Sequence, residues 1–326
     1  MRIAFFDTKP YDHIWFDKLA DEYEYKIKYY EHKLNADTVV LTKGFDVVCV
    51  FVNDVVSETV INILHENGVR LLALRCAGYN NVDLTAATGK LTIVRVPNYS
   101  PYAVAEHASA LLLSVNRKTY RAYIRTRDNN FTINGLMGID LHGKTAGIIG
   151  TGKIGRVFMN ILQGYGMRVL AYDAYPDENA GIEYVSLDKL LASSDVLSLH
   201  CPLTKETHHI INREAVVKMK DGVILLNTSR GALIDTEALI EGLLSKKIGG
   251  AGLDVYEEED EYFFEDLSNE LIKDDELSRL LSLPNVLITS HQAFFTREAM
   301  QAIAVTTMEN IYAFENKQEL VNELRA

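Results

Sequence analysis

The sequence predicts an α/β protein built as two doubly wound domains, and three observations support this. Short apolar runs alternate with helical stretches along most of the chain. A glycine-rich turn, Gly150-Thr-Gly-Lys-Ile-Gly155, joins one such run to a helix. The 326 residues, 48% of them hydrophobic, are enough to fill two cores.

Arg2 to Asp7 reads as a first strand rather than a signal peptide. Val47 to Val52 is the next strand, followed by Asn53-Asp54 as a turn and expected helix cap. A helix over Ile61 to Asn67 ends at Gly68, a residue suited to the position after a helix. Val69 to Cys76 and Leu91 to Val96 are further strands, the second closed by Pro97. These elements make a small α/β domain. Pro97-Asn-Tyr-Ser-Pro101 then punctuates the chain, and one long helix is expected from about Tyr102 to Arg127. It is apolar early (Ala108, Leu111, Leu112, Val115) and basic late (Arg117, Lys118, Arg121, Arg125, Arg127). A helix of that length bridges domains or lies in a subunit interface.

The second domain starts near Leu141. Its strands are Thr145–Ile149, Arg168–Asp173, Val196–His200, Val223–Asn227, Gly250–Val255 and Val286–Ser290. In such sheets ligands bind beyond the carboxyl ends of the strands. The last helix, about Thr296 to Glu319, carries an apolar stripe (Ile303, Thr307, Ile311, Phe314) and has no place in the second sheet. It is expected to return to the first domain. The two crossings, near Tyr99 and Phe295, would make a hinge.

Charge and cysteine usage narrow the function class. A net charge of −12 leaves no nucleic-acid footprint. The acid-rich stretch Glu257–Glu276 reads as solvated surface. Cys49, Cys76 and Cys201 sit in or beside apolar runs with no C-x-x-C, as buried thiols of a reducing compartment do. No apolar run reaches the length of a membrane span. A cytoplasmic, soluble protein without a membrane partner is expected. His208 and His209 are adjacent and have no partners in the sequence, so no metal is expected.

The chemistry gathers at the strand ends. Gly150 permits a tight turn, Gly152 lets a pyrophosphate approach the backbone, and Gly155 lets the helix pack close. The helix N-terminus beyond them offers N–H groups to phosphate. Asp173 lies 18 positions after Gly155, near the roughly 20 expected for a carboxylate on a ribose hydroxyl. Ala174-Tyr175-Pro176 follows it with no arginine to welcome a 2′-phosphate, so NAD is expected rather than NADP. Polar residues close the other strands at His200-Cys-Pro202, Asn227-Thr-Ser-Arg-Gly231, Asp254-Val-Tyr-Glu-Glu-Glu259 and Ser290-His-Gln-Ala-Phe-Phe295. Arg230 reads as a cation at a helix start, unfavourable beside that dipole unless an anion sits there, and arginine suits a carboxylate. His291 suits proton exchange near neutral pH, with one of the acids Asp254, Glu257, Glu258 or Glu259 to hold it. Reducing a carbonyl by hydride transfer needs that proton and a positive field on the oxygen, and these two residues supply both.

With these motifs in view, the whole chain resembles the D-isomer-specific 2-hydroxyacid dehydrogenases, and within them the bacterial fermentative D-lactate dehydrogenases. The match runs through Leu74-Arg-Cys-Ala-Gly-Tyr-Asn-Asn-Val-Asp83, Gly147 to Gly155, His200 to Leu203, Asn227 to Asp235, Gly252 to Glu259 and Ser290 to Thr296. The resemblance implies a Rossmann-type NAD-binding domain over 100–296. It also implies a smaller flavodoxin-like substrate (catalytic) domain made of 1–99 and 297–326. Arg230 would bind the substrate carboxylate and carbonyl, His291 would be the acid/base, and Glu259 would keep it protonated for reduction. Ala77 and Gly78 N–H groups with the Tyr99 hydroxyl would hold the carboxylate, and Phe51 and Phe294 would wall the side-chain pocket. Lys153 and Ile154 would cover the pyrophosphate, and Asp173 the ribose. Cys201, Pro202 and Thr207 would border the cofactor, while Thr228, Ser229, Arg230 and Asp254 would lie along the nicotinamide side. The implied reaction is reduction of pyruvate to D-lactate by a homodimer or homotetramer. A bulkier acid such as 2-oxoisocaproate is the alternative, and an NAD-sensing binding protein of the same fold is a remote one. No regulatory segment is read beyond Ala326, so the long phosphoglycerate dehydrogenases of the family are not expected.

Overall fold

A computed structural model describes residues 1–325. It divides into two units: Met1–Ser100 with the segment from Phe295 onward, and Pro101–Phe294. The strands in chain order are β1 (Arg2–Phe5), β2 (Lys26–Tyr29), β3 (Val47–Val50), β4 (Leu71–Leu74), β5 (Thr92–Arg95) and β6 (Thr145–Ile149). They continue with β7 (Arg168–Tyr172), β8 (Val196–Leu199), β9 (Val223–Asn227), β10 (Ile248–Leu253), β11 (Val286–Ile288) and β12 (Glu323–Leu324).

The first unit is a six-stranded sheet in the order β12-β5-β4-β3-β1-β2. All pairs are parallel except β12 against β5. β3 (VVCV) and β4 (LLAL) are apolar at every position and buried at every position, as central strands covered on both faces must be. β2 (KIKY) alternates exposed and half-buried residues and forms an edge. Its shortness and two lysines hid it from the sequence reading, and the two-residue β12 was missed for the same lack of signal. The helix Arg297–Glu315 is capped by Thr296, whose hydroxyl accepts the Ala299 N–H. It packs Ala304, Met308 and Ile311 into this unit's core, with Phe314 against its margin.

A buried arginine organises that core. The Arg75 guanidinium lies 4.6 Å from the Phe5 ring centre and 4.3 Å from that of Phe51. It donates to the Asp7 carbonyl (2.7 Å) and faces the buried Asp12 carboxylate (3.4 Å). Asp54 does not cap a helix as expected. Ser57 stands at that N-cap, and both Asp54 oxygens are committed elsewhere. They accept the Leu34 and Phe51 N–H groups, each at 2.5 Å. Burial pushes this carboxyl up to about 7, against the opposing pull of those N–H groups and of Arg75.

The second unit is an all-parallel sheet in the order β11-β10-β9-β8-β6-β7. β6 lies between β7 and β8, so connections leave it in both directions and its carboxyl end is the switch point of the sheet. The helix Pro101–Arg117 lies close on β10 because Gly250 and Gly252 have no side chain. A Cβ on Gly250 would come within 2.6 Å of Val115, and one on Gly252 within 3.0 Å of Leu111. The single helix expected to Arg127 is two. Lys118 takes a left-handed conformation (φ +50°) that breaks the ladder, and a second helix, Thr119–Arg127, follows with no buried residue. Asn116 holds the bend, trading hydrogen bonds with both the carbonyl and the N–H of Ile139. No helix among the described residues is long and apolar enough to cross a membrane. Cys49, Cys76 and Cys201 are free and buried.

Candidate active site

The glycine turn at the end of β6 has three distinct geometries. Gly150 has φ +97°, and a Cβ there would meet the Cys201 nitrogen at 2.5 Å and the His200 carbonyl carbon at 2.6 Å. A Cβ on Gly155 would meet the Gly150 oxygen at 2.2 Å, so that glycine sets how closely the helix Lys153–Gly164 approaches the turn. A Cβ on Gly152 would have no protein atom within 4 Å. Gly152 is also the N-cap of that helix and supplies no side-chain acceptor. The first N–H groups of the helix therefore have no side-chain cap, and the space beside Gly152 is open, an arrangement that suits a pyrophosphate. Lys153 and Ile154 follow directly, exposed and half-buried.

Asp173 ties β7 to this turn. One oxygen accepts the Thr151 N–H (2.6 Å) and hydroxyl (2.9 Å), and the other accepts the Tyr175 N–H (2.9 Å). Burial alone would raise this carboxyl, but those bonds and the nearby Arg156 charge outweigh it and hold it below the ordinary range. The sequence placed no arginine beside Asp173, yet Arg156 approaches it in space. Its guanidinium is already bound to the Thr151 carbonyl (2.9 Å) and Asp177 (2.8 Å), so it is not free to receive a 2′-phosphate.

Cys201 is buried, and its carbonyl accepts the Ser229 hydroxyl (2.7 Å). The Thr207 hydroxyl donates to the Pro202 carbonyl (2.7 Å) and holds that loop closed. The Thr228 hydroxyl is buried and has no hydrogen-bond partner among the described residues. An orphaned donor in a loop at a strand's carboxyl end fits a missing polar ligand such as a nicotinamide.

β9, β10 and β11 are neighbours and parallel, so their carboxyl ends share one edge of the sheet. Arg230 follows β9. Asn227 braces it by donating to the Arg230 carbonyl (2.8 Å) and accepting the Ser229 N–H (3.0 Å). Gly231 must be glycine, because a Cβ would lie 2.1 Å from the Tyr256 carbonyl. The element after Arg230 is a three-residue turn, Gly231–Leu233, so the expected conflict with a helix dipole does not arise.

His291 follows β11. Its Nδ1 lies 2.6 Å from Glu259 Oε1, and Glu259 Oε2 accepts the Tyr256 N–H (2.9 Å). Glu257 is committed elsewhere, to His209 (2.6 Å) and Thr236 (3.0 Å), and Glu258 is exposed. The His208–His209 pair thus does not lack a partner, contrary to the sequence reading. Nor is the acid-rich stretch simply solvated. Besides Glu257 and Glu259, Asp274 caps the helix Asp275–Ser282 and accepts the Tyr256 hydroxyl (2.7 Å).

His291 adopts a left-handed conformation (φ +51°), which costs a non-glycine residue on the order of 1–3 kcal/mol. Asp254 stabilises it. This fully buried carboxylate accepts the Thr289 hydroxyl (2.5 Å) and the N–H groups of Gln292 (2.9 Å) and Ala293 (2.8 Å). Its carbonyl accepts the His291 N–H (2.7 Å). Asp254 therefore acts by holding the turn. The cofactor contact expected of it has no exposed side-chain atom to make it.

His107, on the helix Pro101–Arg117, was missed by the sequence reading. Its Nε2 lies 3.0 Å from the Thr289 hydroxyl and 3.2 Å from Asp254.

The remaining expected residues divide between the units. Phe294 is buried in the second unit, and Phe51, Ala77, Gly78 and Tyr99 belong to the first. The Ala77 carbonyl accepts Arg95 (2.8 Å), which steadies the loop. The Ala77 and Gly78 N–H groups are half-exposed and have no acceptor among the described residues. Phe51 is clamped by Asp54 at its N–H and by Asn81 at its carbonyl (3.0 Å).

Known proteins resemble this chain over nearly its whole length. The family profile described as D-isomer specific 2-hydroxyacid dehydrogenase, NAD binding domain, matches residues 109–293. The chain is 51% identical to 2-hydroxyacid dehydrogenase homolog 1 of Schizosaccharomyces pombe, covering 97% of each chain. It is 49% identical to the D-lactate dehydrogenase of Escherichia coli, over 99% of this chain and 100% of that one. It is also similar to the apo-structure of D-lactate dehydrogenase from Escherichia coli, with a TM-score of 0.89, 47% identity, and coverage of 99% of this chain and 100% of that one.

Proposed function

Because the chain belongs to the D-isomer specific 2-hydroxyacid dehydrogenase family and carries its NAD-binding domain, we propose that it reduces pyruvate reversibly to D-lactate. The Glu259–His291 pair at 2.6 Å carries this reading, since reducing a carbonyl needs a positioned proton donor. When bound, NADH supplies the hydride. Glu259, as a carboxylate, can only accept, so Nδ1 of His291 bears the proton of that bond and Nε2 is the nitrogen that exchanges a proton with the substrate oxygen. Arg230 binds the substrate carboxylate and carbonyl and places positive charge beside the oxygen. The free N–H groups of Ala77 and Gly78, with Tyr99, are assigned to the carboxylate, and Phe51 and Phe294 to the small apolar group. The glycine turn, Lys153, Ile154 and Asp173 hold the cofactor, bordered by Cys201, Pro202 and Thr207, with Thr228, Ser229 and Arg230 on its nicotinamide side.

Substrate size is set by those two phenylalanines, and a methylene more or less shifts selectivity only about 10- to 200-fold. Comparing kcat/KM for pyruvate and 2-oxoisocaproate decides between a lactate enzyme and one for bulkier acids. We assign a cytoplasmic role in fermentation, supported by the three free thiols. We also assign a homo-oligomer, supported by the exposed Phe131, Ile133 and Met137. His291→Gln should lower kcat by about 10²–10⁴ with NADH affinity retained. Near-normal turnover in that variant would overturn the proposal.

A further inference from the structure

Outside the residues assigned to the reaction, His208 and His209 meet the carboxylate of Glu257 on the second unit. The two imidazoles pack with centroids 3.9 Å apart and planes tilted by 30°. His209 Nε2 lies 2.6 Å from Glu257 Oε1, and one nitrogen or oxygen from each of the three side chains falls within 4.8 Å of the others. Glu257 Oε2 accepts the Thr236 hydroxyl (3.0 Å), which fixes the rotation of the carboxylate. His209 has a left-handed backbone (φ +50°), and its N–H is bound to the Ala232 carbonyl (2.9 Å). An ordinary ion pair accounts for His209 and Glu257. It does not account for the exposed His208 stacked on the same pair.

We propose that His208, His209 and Glu257 bind a divalent transition-metal ion of the zinc class. Two imidazole nitrogens and one carboxylate oxygen form a borderline donor set, which suits zinc better than calcium or magnesium, whose sites are built of oxygen. With metal–ligand bonds of about 2.0–2.2 Å in a tetrahedral set, the donor atoms lie roughly 3.4 Å apart, so His208 must swing in while His209 and Glu257, now at 2.6 Å, open to admit the ion. His208 is exposed, so turning its ring from its place against His209 does not disturb the core. Three protein ligands leave a fourth position for water. Binding displaces the hydrogen bond between His209 and Glu257 and releases its proton to solvent, and Thr236 then orients a metal-bound carboxylate.

The site lies on the back of the catalytic segment. Glu257 precedes Glu259 by two residues, and its backbone packs against Gly231, beside Arg230. The ion would therefore tie the 208–209 turn to the segment that carries the partner of His291. This inference does not rest on the identity of the 2-oxo acid.

The test is a titration of the metal-free protein with Co²⁺, followed by its visible ligand-field bands and by displacement with Zn²⁺. One saturable equivalent is expected. His208→Gln should abolish it while leaving the His209–Glu257 bond and turnover without added metal unchanged. Thr236→Val should weaken binding about 10-fold, and His291→Gln should bind as the parent does. No saturable binding, equal binding in His208→Gln, or loss of binding in His291→Gln would each overturn the proposal.

Discussion

Nδ1 of His291 and Oε1 of Glu259 are 2.6 Å apart, although 32 residues separate them in the chain. This contact decides the tautomer of the imidazole and therefore which nitrogen can deliver a proton. Glu259→Gln keeps the shape but removes a charge-assisted hydrogen bond worth about 1.5–3 kcal/mol. The expected result is a fall in kcat of roughly 10- to 100-fold with an unchanged dissociation constant for NADH. Steady-state turnover and NADH fluorescence titration measure the two quantities, and a normal kcat would mean that the pair does not act in the reaction.

The three glycines of the turn should fail in different ways. Gly152→Ala adds a methyl where no protein atom lies within 4 Å, so the melting temperature should hold while NADH binding weakens. Gly155→Ala drives a methyl into the Gly150 oxygen and should destabilise the fold by about 1–3 kcal/mol. Calorimetry with and without NADH separates these effects. Equal loss of stability in both variants would contradict the open space at Gly152.

Burial pushes the His200 imidazole down to about 4. The unfolded chain then takes up a proton near the ordinary value of about 6.5, while the folded chain does not. The stability tied to His200 is present above about 6.5 and is lost as pH falls towards 4. His200→Gln removes this titration. Between pH 7.5 and 5 the parent protein should therefore lose about 2 kcal/mol more stability than the variant. Parallel stability curves from urea unfolding at the two pH values would refute this.

Arg75 and Asp12 form a buried pair at 3.4 Å, with the guanidinium between Phe5 and Phe51. Arg75→Met strands a buried carboxylate and should cost about 3–5 kcal/mol. Combining it with Asp12→Leu should recover much of that loss, since the stranded charge is gone. Denaturant unfolding of the two single variants and the double variant tests the coupling. Additive losses would mean that the contact is incidental.

Local pattern was enough wherever the physics is local. The strands of the second sheet were legible because each is a short apolar run ending at a turn residue. The Gly150–Gly155 spacing was legible because turn, approach and packing each demand a glycine at a set offset. The polar residues closing β8, β9, β10 and β11 were legible for the same reason, since each interrupts an apolar run. β2 was not, because KIKY at a sheet edge lacks the apolar excess that marks a buried strand. The bend at Lys118 was not either, because it is held by Asn116 bonding to Ile139, well along the chain.

By itself, then, the sequence determined the two-sheet architecture, the cofactor turn and the candidacy of Arg230 and His291. The tertiary structure decided, among three glutamates that residue chemistry alone leaves equivalent, that Glu259 holds His291, that Asp254 is sealed inside the turn, and that Glu257 bonds His209 and Thr236 instead. Neighbouring glutamates are chemically identical and share one turn. Only the direction in which the backbone points each side chain, set by contacts with distant strands and loops, separates their roles.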